Sequence, residues 1–166
     1  MNVNEFVTIY SGGNYAAPIW DEYSAYVLEL VTNGDFATDS DWNKGSTWTI
    51  GGGTANCTAN STNQDMTQSN LVVGKLYLIS VDITSSTLSA QAFRVWAGNA
   101  FTDFVLSGSA QTITTQLVAS SPVLDLRVTS SNSSGSVSID NVSVTEVGGS
   151  VEGRDCTINN LARLIS

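Results

Sequence analysis

The chain has 166 residues, enough for one domain of ordinary size with additional terminal segments. Its formal net charge of −9 repels phosphate backbones and anionic lipid headgroups, so we expect neither nucleic acid nor membrane among its partners. Histidine is absent, which removes the commonest general base and the commonest transition-metal ligand. Only 13% of residues are charged, and Ser, Thr, Asn and Gly supply the polarity, as is typical of an extracellular or particle-borne β protein.

Residues 1–28 are rich in aromatic and aliphatic side chains, and Gly12, Gly13 and Pro18 interrupt them. This segment is too apolar for a solvated tail and too short to fold alone. We therefore predict an N-terminal docking arm that packs either on its own domain or on a neighbouring subunit. The docking residues predicted in this arm are Tyr15, Trp20 and Tyr23.

Residues 29–147 predict an all-β domain. Short runs of alternating apolar and polar residues, separated by turn signals, indicate a β-sandwich or a barrel. In the clearest run, residues 75–83, the four apolar residues Tyr77, Ile79, Val81 and Ile83 share one face. The other predicted strands lie near residues 26–31, 48–50, 54–57, 65–69, 92–96, 101–106, 113–118, 124–128 and 137–147.

The last predicted strand, Val137 to Val147, contains a change of phase. Val137 and Ile139 share one parity, whereas the apolar residues that follow from Val142 onwards have the opposite parity. One extra residue at Asp140-Asn141 accounts for this change, and the usual device for inserting it is a β-bulge. A bulge would turn an acidic side chain and an amide out of the simple alternation.

Residues 148–166 predict a hinge, Gly148-Gly149-Ser150, followed by a C-terminal docking tail. Leu161 and Leu164 are spaced for one face of a helix, and a terminal apolar patch beyond a glycine hinge is a second candidate for docking.

Several motifs come in the order found in a known family. Asn33-Gly34-Asp35-Phe36 is followed by Trp42 and Trp48, by a Gly-rich turn, by Val73-Gly74-Lys75-Leu76-Tyr77 and by Ile139-Asp140-Asn141-Val142-Ser143-Val144. They resemble the jelly-roll carbohydrate-binding modules that accompany xylanases and related glycanases, and more closely the version found in many tailed-phage virion proteins. The resemblance covers about residues 30–147. It implies a jelly-roll β-sandwich whose first and last strands are close together.

The resemblance also implies a structural calcium ion. In family members that bind calcium, an acidic residue of the opening motif and the Asp of the closing motif supply oxygens, and here these are Asp35 and Asp140. Two carboxylates are few for a site of ~6–8 oxygens, so backbone carbonyls would have to supply most of the others. The alternative is that Asp35 caps a turn and that Asp140 accepts hydrogen bonds from backbone amides.

A glycan platform needs exposed aromatic side chains beside polar neighbours. Trp96 stands at the end of a predicted strand, Phe101 follows it, and Trp42 lies in a polar loop. These three residues are the candidate ligand-binding residues. Packing in the core is the alternative for each, and it is the expectation for Trp48, which alternates with Ile50.

No group of residues in the sequence predicts catalysis. Asp82, Asp103 and Asp125 lie on predicted strands, but their neighbours in the sequence provide no aromatic or basic frame of the kind that a glycoside hydrolase requires. A nucleophilic triad lacks its histidine. Cys57 and Cys156 are far apart, and we expect Cys57 to be a small buried side chain, with pairing of the two cysteines as the alternative.

These features predict a non-enzymatic virion structural protein of a tailed phage, made in the host cytoplasm and carried on the particle surface. The first choice of role is capsid decoration, in which the terminal arms bind the major capsid protein or other virion proteins and the chain forms a homo-oligomer. The alternatives are a glycan-binding module of a tail or head fibre, with a host glycan as its ligand, and a tail or neck subunit.

Overall fold

The computed structural model describes residues 28–147, which form an all-β sandwich of two five-stranded antiparallel sheets. The strands are β1 (Asn43–Lys44), β2 (Trp48–Gly51), β3 (Thr54–Thr58), β4 (Gln64–Ser69), β5 (Leu76–Ser86), β6 (Ala92–Ala97), β7 (Ala100–Val105), β8 (Gln111–Val118), β9 (Val123–Val128) and β10 (Ser136–Glu146). The first sheet has the order β1-β4-β9-β6-β7, and the second has the order β2-β3-β10-β5-β8. The predicted jelly-roll sandwich is confirmed. No helix that could cross a membrane occurs within residues 28–147.

The core lies between the two sheets and is built by the alternation seen in the sequence. On β5, Tyr77, Ile79, Val81 and Ile83 are each at most 1% exposed. On β9 of the opposite sheet, Leu124, Leu126 and Val128 are fully buried. Because side chains alternate across a strand, the intervening residues of both strands face away from the core.

Two further expectations about the core are confirmed. Trp48 is buried, and its Nε1 donates to the carbonyl oxygen of Gln64 at 3.1 Å. Cys57 is also buried, and this burial raises the pKa of its thiol to about 11, which makes the thiol unreactive at neutral pH. Cys156 lies outside the described residues.

The predicted β-bulge is present in β10. The pairing of β10 with β5 shifts between Asp140 and Ser143, and Asn141 has a φ of 47°. The two residues at the bulge, Asp140 and Asn141, therefore come between the buried pair Val137 and Ile139 and the next buried residue, Val142. One extra residue thus keeps the apolar side chains of both halves of β10 in the core.

The opening and closing motifs are in direct contact, as the resemblance implied. The Val142 amide donates to the Gly34 carbonyl oxygen at 2.9 Å, and the Leu30 amide donates to the Val144 carbonyl oxygen at 3.0 Å. Glu29 reinforces this contact, because its Oε1 accepts from the Val144 amide at 2.8 Å.

The structure corrects the first predicted strand, residues 26–31. Glu29 forms only an isolated antiparallel bridge with Thr145, and no continuous strand precedes β1 among the residues that the structure describes. The reason is that the side chain of Glu29 and the bulge of β10 take up hydrogen bonds that a regular ladder would use.

We predict that Gly34→Ala destabilises the domain by about 2–3 kcal/mol, because a Cβ at this position would lie 2.1 Å from the Val142 carbonyl oxygen. Gly51→Ala is the matched control, since no atom lies within 4 Å of a Cβ at that position. Urea unfolding of both variants measures the difference. Equal midpoints for the two variants would show that the contact between the opening and closing motifs is not tight.

Candidate functional site

The outer face of the first sheet carries the candidate site. The side chains of this face point away from the sandwich, because the residues on either side of them along each strand are in the core. The strand registers arrange them in two neighbouring rows that cross the sheet. The first row consists of Thr67, Asp125, Trp96 and Phe101. The second row consists of Asp65, Arg127, Arg94 and Asp103.

An aromatic pair stands at the β6–β7 end of this face. Trp96 and Phe101 are directly opposite each other in the register, and their ring centroids are 4.7 Å apart. Phe101 is 46% exposed, whereas Trp96 is partly covered. The Arg94 guanidinium lies 4.1 Å from the Phe101 ring centroid, and the Arg127 guanidinium lies 4.9 Å from that of Trp96. These cation–π contacts fix both rings in place.

Carboxylates hold the two arginines in these positions. Arg94 forms a two-pronged ion pair with Asp103, in which Nη2 and Oδ2 are 2.7 Å apart. The hydrogen bond from Arg94 lowers the pKa of the Asp103 carboxyl. Arg127 binds Asp65 through Nε, and its Nη2 donates to Asp125 Oδ2 at 3.0 Å. Bidentate and shared pairs of this kind orient a guanidinium more than they add stability.

Asp125 is the unusual group of the face, because it is only 8% exposed. Burial raises the pKa of its carboxyl to about 6, with a further rise from the Asp65 charge, and Arg127 only partly opposes these effects. Its Oδ1 and the Nε1 of the opposite Trp96 are both buried, and neither has a hydrogen-bond partner within residues 28–147. An unsatisfied donor and an unsatisfied acceptor therefore lie on neighbouring strands beneath the arginines.

A shallow depression of about 360 Å³ continues the face at its β1–β4 end. Asp65 and Thr67 belong both to the wall of the depression and to the cross-strand rows, and Asn43 of the wall pairs with Thr67 in the register. Polar side chains and backbone groups dominate this wall, so it suits a hydroxyl-rich ligand better than an apolar one. The site thus extends from Phe101 at one edge of the sheet to Asn43 at the other edge.

The structure brings two of the three predicted platform residues together and excludes the third. Trp96 and Phe101 form the aromatic pair. The prediction that Trp42 forms part of the platform is wrong, because its side chain is only 7% exposed. Its ring packs against Phe36, with 5.6 Å between the ring centroids, and its Nε1 donates to the Asn33 carbonyl oxygen. Its indole fills the interior beneath the opening motif and cannot act as a platform.

Sequence reasoning missed the charged half of the site. Arg94 and Arg127 were not among the candidate residues, and Asp125 was considered only for catalysis and set aside, although all three are the polar members of alternating runs. That alternation could have identified them as neighbours of Trp96 once the strand order was known. The pairing of β6 with β9 could not be predicted from the sequence, because the two strands are far apart along the chain.

The predicted calcium ligands make other contacts. Asp35 Oδ1 accepts from the Ala37 amide at 3.3 Å, which is a turn cap, and Asp140 Oδ1 accepts from the Asn141 amide at 2.7 Å. Residues 28–147 contain no group of three or more Asp, Glu, Cys or His side chains that could hold a metal ion. Calcium binding by these two carboxylates together with backbone carbonyls stays a prediction.

The predicted docking residues, Tyr15, Trp20, Tyr23, Leu161 and Leu164, lie outside the described residues. Their roles stay predictions.

Solved structures share this fold at low sequence identity. A CBM4 carbohydrate-binding module has a TM-score of 0.49 and 18% identity, over 70% of this chain and 99% of that one. An arabinose-bound GH51 α-L-arabinofuranosidase has a TM-score of 0.56 and 14% identity, over 71% of this chain and 26% of that one. The tailspike protein 4 of bacteriophage CBA120 has a TM-score of 0.49 and 16% identity, over 72% of this chain and 22% of that one.

A scan against models of known protein families finds no match, and a search of curated proteins finds none either. Of these likenesses, the one to the arabinofuranosidase has a TM-score above 0.5, and it agrees with the β-sandwich that the two sheets form. At this level of identity they show the fold alone.

We predict that Asp125→Asn makes the domain more stable at pH 8 by about 1–2 kcal/mol and has almost no effect at pH 4. The raised pKa means that the folded state holds the proton more tightly than the unfolded state. The resulting stability is fully present below pH ~4, the ordinary pKa of Asp, and is lost as the pH rises through about 6.

Urea unfolding of wild type and variant between pH 4 and pH 8 measures this difference, and Asp103→Asn serves as the control. The pKa of Asp103 is lowered, so its replacement gives no gain at pH 8. A constant difference between wild type and Asp125→Asn across this pH range would mean that Asp125 titrates normally.

Proposed function

We propose that this chain is a glycan-binding module without catalytic activity, and that its ligand lies across the outer face of the first sheet. The observation that carries this proposal is the pair of Phe101 and Trp96, which is partly exposed, fixed by two arginines, and set beside an unsatisfied donor and acceptor.

The aromatic pair supplies a surface for the apolar face of a sugar ring. Phe101 is exposed enough to be covered by a ligand, and its contacts with Trp96 and Arg94 already restrict its rotation. Little side-chain entropy is therefore lost on binding.

The unsatisfied polar atoms supply the hydrogen-bonding part of the site. A buried polar atom without a partner costs ~1–3 kcal/mol, and the face contains two of them, Trp96 Nε1 and Asp125 Oδ1. A sugar hydroxyl is both a donor and an acceptor, so it can satisfy either atom. We infer that a ligand moves the Arg127 guanidinium from the Trp96 ring and then bonds the groups beneath it.

The shape of the face favours an oligosaccharide over a single sugar. Four strand spacings of ~4.8 Å separate β1 from β7, which gives a strip about 19 Å long. Its charged side chains are three carboxylates and two guanidinium groups, and these largely neutralise one another. This balance favours a neutral glycan over one that carries many acidic groups.

Catalysis is the competing proposal, because the arabinofuranosidase is an enzyme and about a quarter of its chain aligns with this domain. Asp65 and Asp125 are the carboxylates that would have to act, but both are bound to Arg127. The raised pKa of Asp125 would suit a general acid, but the other carboxylates of the face, Asp65 and Asp103, are each engaged by a guanidinium and are not free to act as its partner. We therefore prefer binding without turnover.

Capsid decoration stays a second proposal, as the sequence predicted. Its anchoring residues lie in the segments 1–27 and 148–166, outside the described residues. Rebinding of full-length protein to virions that lack it, compared with protein that lacks residues 1–28, is the experiment that tests this role.

We predict that the full-length protein gives a selective signal on an array of neutral oligosaccharides, and that Phe101→Ala weakens binding to the best ligand at least about tenfold. Val105→Ala is the matched control, because Val105 is on the same strand and face but is 84% exposed. Isothermal titration calorimetry of the three proteins provides the dissociation constants.

Equal affinity of Phe101→Ala and Val105→Ala for the same oligosaccharide would show that the ligand does not bind at the aromatic pair. The absence of any selective signal would reject glycan binding. Release of shortened sugars during the titration would support the enzymatic alternative.

A further inference from the structure

The outer face of the second sheet is mostly polar, but one end of it carries an apolar surface. Six of the eight large hydrophobic side chains that are exposed within residues 28–147 lie at one end of this sheet or in the turn beside it, and each is between 37% and 60% exposed. We call them the terminal patch, and they are Leu28, Val72, Val73, Leu78, Val118 and Val147. The outer face beyond them presents mostly Ser, Thr and Asn side chains.

The backbone connections place these residues together. Leu76 pairs directly with Val118, and Leu78 follows two residues later on the same face of β5. The Val147 amide donates to the Leu76 carbonyl oxygen at 2.8 Å. The turn that contains Val73 is joined to the end of β8 by the hydrogen bond from the Gly74 amide to the Ala119 carbonyl oxygen at 2.8 Å.

Both ends of the described chain meet at this patch. Glu29 pairs antiparallel with Thr145, so Leu28 and Val147 lie at the same end of the second sheet. Residues 1–27 therefore join the domain, and residues 148–166 leave it, beside the same apolar surface.

The spacing of apolar residues along these segments selects the occupant. Tyr26, Tyr23, Trp20 and Ile19 begin two residues before Leu28. After Val147, the first ten residues contain only Val151 and Cys156 as apolar side chains, and no aromatic residue follows. A short connection raises the effective concentration of a segment at its docking surface far more than a long one. The N-terminal side chains are also larger and more aromatic, so they bury more apolar area.

We propose that residues 15–27 of the same chain dock on the terminal patch. This segment then covers the apolar end of the second sheet, leaves the outer face of the first sheet free, and is not available at the same time as a capsid anchor. The inference does not depend on glycan binding, because the two surfaces are on opposite sheets of the sandwich.

Limited proteolysis of the full chain with chymotrypsin tests this docking. Cleavage at Tyr15, Trp20, Tyr23 and Tyr26 is expected to be about tenfold faster in Leu78→Ser/Val118→Ser than in wild type, because the rate follows the population in which the segment is undocked. Val105→Ser is the control, since it removes an apolar side chain that is even more exposed, at 84%, from the other sheet. The melting temperature of each variant verifies that the domain is intact.

The reciprocal change, Trp20→Ser, is expected to accelerate cleavage at the remaining sites by a similar factor. Combining it with Leu78→Ser/Val118→Ser should add little further acceleration if the two sets of side chains touch. Val72→Ser/Val73→Ser provides a patch variant that alters only a turn, should the strand substitutions unfold the domain. Equal cleavage rates in wild type and all patch variants would overturn the proposal.

Light scattering during size-exclusion chromatography distinguishes docking within one chain from docking onto a second copy. Docking within one chain predicts a monomer whose cleavage rate is independent of protein concentration. A dimer whose protection is lost on dilution would overturn the proposal in favour of exchange of the segment between two copies.

Discussion

The insertion of one residue into β10 is the constraint on which the rest of the sandwich depends. β10 is the central strand of the second sheet and pairs with β3 and β5. Without the bulge at Asp140 and Asn141, the apolar residues of one half of the strand would point to solvent, because the side-chain period of a strand is two. The bulge also directs the Val142 amide to the Gly34 carbonyl oxygen, which closes the domain at its chain ends.

This closure separates two surfaces with different chemistry. The outer face of the first sheet combines an exposed aromatic ring with ion-paired arginines and buried carboxyl oxygen atoms. The far end of the second sheet is apolar, and it lies where the chain enters and leaves the domain. A ligand on the first surface and the chain's own segment on the second would not compete, because the core of the sandwich lies between them.

Asp125 shows what the candidate site costs the fold. The Asp125 carboxyl is almost buried, so its ionisation destabilises the domain, and its pKa is therefore raised to about 6. Arg127 and the aromatic pair cover Asp125 without satisfying all of its oxygens. Local energetic conflict of this kind is typical of functional sites, where the fold gives up stability for a group that a ligand can use.

The sequence alone determined those features that depend on neighbouring residues. Alternation along the chain was enough to identify β5, the inward orientation of Trp48 and the bulge at Asp140-Asn141, because side chains on successive residues must point to opposite faces. Trp96 and Phe101 were recognised as candidates because each is an aromatic residue near a strand end. The sequence predicted a strand where the structure has only the isolated bridge between Glu29 and Thr145, because local alternation does not reveal where a partner strand is bulged.

Only the tertiary structure decided which of those residues meet. Trp42, in a polar loop, and Trp96, at the end of a strand, were both candidate platforms, yet one fills the interior against Phe36 and the other lies beneath two guanidinium groups. Arg127 reaches Trp96 because β9 pairs with β6, and this pairing joins parts of the chain about thirty residues apart. The buried state of Asp125 arises in the same way. Cross-strand register is a property of the assembled sheet, so no local pattern in the sequence could encode the site's charges and their pKa values.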